Sequence, residues 1–182
     1  MKMHILIKRR LIMSKRERIY MYAGTVIAFG LCSLFHFAYD FLGRPFWLAG
    51  FFPISESIWE HLKLPFYSLM LLNVIPWCEF VKRCSWKEKL FFAAFQSEMT
   101  MFVVVFGYYG IKGGLGKEGL GIDLSLLFLG LLWSLVISVF FRKYLVFIPS
   151  WIKNYFFIKA MIMFVLFWIF SFHVLQYPIF QI

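Results

Sequence analysis

The chain has 182 residues, of which 62% are apolar, 23% aromatic and only 15% charged, and its mean hydropathy is +0.78. So much apolar surface cannot all be buried inside one small soluble fold, and so few charges would not keep such a fold dispersed. The net charge of +10 and the pI near 9.7 do not point to nucleic acid, because the basic residues stand in short clusters at the ends of apolar runs, as topology signals and contacts with anionic lipid heads do. The composition therefore predicts an all-α, polytopic membrane helical bundle of about five transmembrane helices, with membrane lipids as its surroundings and no nucleic acid among its partners.

Residues 1–18 read as a basic cytoplasmic segment, with Lys2, Lys8, Arg9, Arg10, Lys15, Arg16 and Arg18, ahead of a transmembrane domain over 19–182. The apolar run that follows is too long for the core of a signal peptide, and no small-residue cleavage site follows Phe41. It is taken as a first helix over about 19–42. Next comes GRPFWLAGFFPI, residues 43–54, apolar and aromatic yet broken by Gly and Pro, which predicts an interfacial or re-entrant loop between the first two helices. The second and third helices are expected over about 57–81 and 87–111. Pro65 leaves the carbonyl of His61 without its donor and predicts a kink there, and Pro76 predicts another nearer the far end.

Residues 110–121 carry six glycines and read as a flexible outer turn, since the order of a phosphate-binding loop is missing. A fourth helix over about 121–141, a connector over 144–149 and a fifth helix over about 150–175 complete the chain. Ser-x-x-Glu capping boxes, in which the Ser and Glu side chains satisfy free N–H groups at a helix start, precede three of these runs: Ser14 with Glu17, Ser57 with Glu60, and Ser85 with Glu88. No internal repeat supports an inverted-repeat transporter.

Basic residues before the first helix, between the second and third (Lys82, Arg83, Lys87, Lys89) and after the fourth (Arg142, Lys143, Lys153) place these segments in the cytoplasm. The N-terminus is then cytoplasmic, five crossings leave the C-terminus outside, and Lys159 snorkels toward the inner surface. Of the three cysteines, Cys32 packs as a small hydrophobe, while Cys78 and Cys84 are read as free thiols or acylation sites rather than disulfide partners.

Ionisable groups inside a membrane are costly and are functional candidates by default. They gather toward the outer side: His36 and Asp40 one helical turn apart, then Glu56, Glu60 and His61, and His173 near the end of the fifth helix. Imidazoles and carboxylates are the ligand set of zinc and similar divalent ions, so these six residues form a candidate polar or metal site, although no H-E-x-x-H occurs and Glu60 and His61 diverge by about 100° on a helix. The bland reading stands beside it. Glu60 caps Ser57, Glu56 favours the positive end of a helix, and Lys63 lies where it can pair with Glu60. Glu98, near the middle of the third helix, is either a proton or cation station or a carboxyl bonded to a neighbouring helix. Haem ligation by two of His36, His61 and His173 is not demanded by the spacing.

The stretch HFAYDFLGRPFWLAGFFPISESIWEHLK, residues 36–63, resembles an uncharacterised family of small bacterial membrane proteins, mostly from Gram-positive organisms. The resemblance rests on His36, Phe37, Tyr39, Asp40, Pro53, Glu56, Ser57, Trp59, Glu60, His61, Leu62 and Lys63, and more weakly on Tyr108, Tyr109, Gly110 and Asp123. This chain has Ser55 where the family pattern has Asn, and it ends at Ile182, where members often carry a longer tail. The resemblance implies a bacterial cell membrane and supplies no activity. Three functions are weighed: a non-enzymatic partner, binding or transport-accessory protein with a protein partner in the membrane; a metal-dependent enzyme acting on a lipid or peptide at the outer surface; and a proton or cation pathway through Glu98. The small size and single polar cluster favour the first.

Overall fold

The computed structural model describes residues 13–173 and 178–180, so most of the basic N-terminal segment lies outside it. Every regular element among the described residues is helical. Helix α1 (Lys15–Phe41) starts at the first capping box: the Ser14 hydroxyl accepts from Glu17 N–H at 3.3 Å and the Glu17 carboxylate accepts from Ser14 N–H at 2.7 Å. It begins four residues before the apolar run because the cap, not hydropathy, sets where the helix starts. Its other end closes by two backward bonds, from Gly43 N–H to Asp40 O and from Arg44 N–H to Tyr39 O, with Gly43 at φ 78°, which only glycine adopts without penalty.

The segment expected as one helix over 57–81 is broken. It consists of α2 (Ile58–His61) and α3 (Lys63–Val74), interrupted at Leu62, beside the His61 carbonyl that Pro65 leaves without its donor. Pro76 ends this rod rather than bending it: Ile75 is extended, at ψ 126°, as residues before proline prefer, and only the single turn α4 (Glu79–Lys82) follows. From Ile58 to Val74 the rod is about 25 Å long, short of the roughly 30 Å of hydrocarbon.

Three longer helices complete the bundle: α5 (Trp86–Leu115), α6 (Leu120–Arg142) and α7 (Ser150–Phe172). With α1 they are four helices long and apolar enough to cross a membrane, as a multi-pass membrane protein requires. The glycine-rich turn is shorter than expected. Helix α5 runs on through Gly110, Gly113 and Gly114 and stops at Gly116, at φ 62°. Lys112 steadies that last stretch, donating to Tyr108 Oη at 3.2 Å and pairing with Glu118 at 2.7 Å across the turn.

The short rod is central. Leu64, Phe66, Leu69 and Leu72 of α3 are buried, packed between α1 and α5. Its polar Asn73 belongs to a closed ring: Tyr20 O–H donates to Asn73 Oδ1 at 2.8 Å, Asn73 N–H to Gln96 Oε1 at 2.8 Å, and Gln96 N–H to the Tyr20 oxygen at 2.7 Å. All three side chains are buried, and an unmet polar group there would cost a few kcal/mol, so the ring ties α1, α3 and α5 in one register. Small residues let α6 approach. A Cβ on Gly24 would lie 2.6 Å from Leu135, and Thr100 O–H reaches Gly130 O at 3.2 Å and Ser134 Oγ at 3.1 Å. The start of α1, α4, the start of α5, the end of α6 and the start of α7 share one end of the bundle, here the basic end; the 42–57 loop marks the other.

Candidate functional site

The loop after α1 is neither an open lid nor a free strand. Phe46–Leu48 forms one 3-10 turn, and Gly50 passes so close under Trp168 of α7 that a Cβ would lie 2.5 Å from the indole. Tyr67 O–H donates to Gly50 O at 2.8 Å. Beneath it Lys63 is fully buried, its ammonium donating to Ala49 O at 2.7 Å, Ser171 Oγ at 2.6 Å and Glu60 Oε2 at 2.5 Å. The same carboxylate oxygen accepts from Ile54 N–H at 2.9 Å. A buried ion pair is tolerable only when its remaining donors and acceptors are met, and here irregular backbone supplies several of them. The capping expectation at Ser57 is therefore half realised: its hydroxyl accepts from Glu60 N–H at 3.3 Å, but the Glu60 carboxylate turns to Lys63 and Ile54.

Pinning the loop down leaves Glu56 beside two imidazoles. Glu56 Oε2 is 3.3 Å from His61 Nε2 and Glu56 Oε1 is 4.0 Å from His36 Nε2. The rings of His36 and His61 stack, centroids 5.2 Å apart at 27°. One ligating atom from each residue lies within 4.8 Å of the other two. The edge of a tetrahedral site with bonds of ~2.0 Å is about 3.3 Å, so the His61–Glu56 edge already fits and the others need less than about 2 Å of closure. His61 Nδ1 is 2.9 Å from Ser57 O, which can only accept. Nδ1 thus carries a proton, which leaves Nε2, on the Glu56 side, as the nitrogen available to a cation, the outer-shell arrangement that orients metal-binding imidazoles.

Of the six residues singled out in the sequence, the fold brings together His36, Glu56 and His61. Asp40 is engaged by Arg44 at 2.7 Å, Glu60 by Lys63, and His173 is exposed at the end of α7, outside the group. The stacked rings of His36 and His61 leave no room for a haem between them. Glu98 is ion-paired with Lys159 of α7, so Lys159 turns to α5. One acid was not singled out as a site residue. Asp123, in the first turn of α6, is close enough to His61 to interact electrostatically. Its signals in the sequence were a weak share in the family resemblance and an acid opening an apolar run, which any helix start explains.

Residues 8–181 match the family described as Family of unknown function (DUF6512). The chain belongs to that family. Comparison with curated proteins and with solved structures found no match. The family covers every element of the bundle, the loop and all three converging residues, so the site lies inside the unit that defines the family.

Proposed function

We propose that this membrane protein binds a divalent cation of the zinc class at its loop end, acting as a binding or transport-accessory protein. The observation that carries the reading is the convergence of His36, Glu56 and His61 from α1, the loop and α2, with the His61 tautomer held by Ser57. Two imidazoles and one carboxylate suit zinc and its neighbours better than calcium or magnesium, which prefer an all-oxygen shell. The test is elemental analysis of protein purified in mild detergent without chelator or an affinity metal. A near-stoichiometric transition metal, lost in His61→Ala while the helical content is kept, supports the reading; wild-type protein that takes up no zinc from a buffered excess sinks it.

The orientation belongs to the same proposal. Lys15, Arg16, Arg18, Lys87, Lys89, Arg142 and Lys153 lie at one end of the bundle, which supports a cytoplasmic N-terminus and an outward-facing loop end. The family resemblance supports a bacterial cell membrane.

A protein partner in the membrane has separate support. The Lys159 side chain is 43% exposed, about 14 Å along α7 from Ser150, where an ammonium facing lipid is costly even beside Glu98. A neighbouring helix with a hydrogen-bond acceptor at that depth would cover it. Lys159→Leu should reduce cross-linking of the protein to its membrane neighbours; an unchanged pattern would count against a partner on this face.

A further inference from the structure

We infer that the ion held by His36, Glu56 and His61 keeps one coordination position for a small anionic oxygen ligand, of the phosphate type, that enters from the loop end. The inference rests on the cation-binding reading and goes beyond it, since a bound ion could equally be closed off by a fourth protein side chain. Structural zinc sites are closed in that way, whereas sites with three protein ligands leave the fourth place to water or an incoming group.

The surroundings argue for the open form. Among the described residues, three ligand atoms converge and no fourth His, Cys, Asp or Glu joins them within 4.8 Å. Of the other acids singled out in the sequence near this end, Asp40 is committed to Arg44 and the buried Glu60 to Lys63. Residues 174–182 contain no His, Cys, Asp or Glu. The only such residue in 1–12 is His4, and the described start of α1, Lys15, lies about 30 Å along the helix from His36.

The site also has an open side. The Glu56 side chain is 68% exposed, and those of His36 and His61 are 28% and 30% exposed. Two neutral imidazoles and one carboxylate leave a divalent ion with positive charge to spare, so an anion completes it better than a neutral ligand does. Asp123 is a negative charge near His61 and outside the ligand set, and it opposes that anion. Phosphate chemistry is available from free phosphate and from the headgroups that meet a bundle at this level.

Cobalt(II) is the probe, because its visible bands report coordination number and exchange of a ligand. The full chain is loaded with cobalt in a maltoside detergent, which carries no phosphate, and titrated first with azide and then with inorganic phosphate. Four-coordinate bands that shift saturably with either anion are expected. In vesicles of phosphatidylglycerol, a shift present before phosphate is added assigns the ligand to the headgroup; a shift that needs added phosphate assigns it to the free anion.

Asp123→Asn should tighten azide binding several-fold with cobalt stoichiometry unchanged. Stoichiometric cobalt whose bands ignore azide and phosphate in micelles and in vesicles would overturn the open position and leave the cation site standing. Failure to bind cobalt at all would remove both.

Discussion

Lys63 and Glu60 lie adjacent to the candidate site and do a different job from it. The ammonium exchanges water for Ala49 O, Ser171 Oγ and the Glu60 carboxylate, so removing one partner strands the other in an apolar interior. Lys63→Met alone should cost about 3–5 kcal/mol in mixed-micelle unfolding, and Lys63→Met combined with Glu60→Gln should recover much of it. Metal binding separates the acids further. His61→Ala should lower zinc affinity by more than the roughly 10–100-fold typical of losing an outer-shell partner, while Asp40→Asn, a carboxylate already held by Arg44, should leave it unchanged; both are read by competition with a zinc chelator. Because protons compete for the imidazoles, zinc should be released on acidification. At the basic end the buried Cys84 donates to Phe80 O at 3.4 Å, and burial pushes its thiol up, which suppresses the reactive thiolate. Maleimide should therefore modify the half-buried Cys78 well before Cys84 in folded protein, a position poorly suited to the acylation considered for Cys84.

Among the elements, the 43–57 loop couples local packing to the site. Its route is determined where Gly50 runs under Trp168 and where Tyr67 grips Gly50 O, and Glu56 is carried at its far end. Gly50→Val forces the indole or the backbone to move, an overpacking cost of about 1–3 kcal/mol. It should also weaken zinc binding although residue 50 touches none of the three ligands; zinc affinity equal to wild type would show that Glu56 is positioned independently of the loop. The paired helices obey simpler rules. Ser85→Ala removes the hydroxyl that accepts from Glu88 N–H at 3.4 Å and should cost about 1 kcal/mol, as loss of an N-cap usually does.

For the whole molecule, the testable property is which way it faces. Trp47 is exposed at the loop end and Lys87 is exposed at the start of α5, at the basic end. In intact cells and a Cys78→Ser background, an impermeant maleimide should label Trp47→Cys directly and Lys87→Cys only after permeabilisation. The reverse order would invert the topology and put the candidate metal site in the cytoplasm.

Residue order alone determined the membrane class, the helical architecture, the complete capping boxes at Ser14 and Ser85 and the break near Pro65, because these depend on hydropathy summed over a run and on bonds between residues three or four apart. It also singled out all three residues that converge, His36, Glu56 and His61, but grouped them with Asp40, Glu60 and His173. Separating the two sets required tertiary structure. Asp40 is engaged by a guanidinium that the left-handed turn at Gly43 and Arg44 brings back, and Glu60 by an ammonium whose other acceptors come from residues 49 and 171. Glu98 meets Lys159 only because α5 packs against α7. Whether an ionisable group is engaged or available depends on partners far away in sequence, and no local pattern records them.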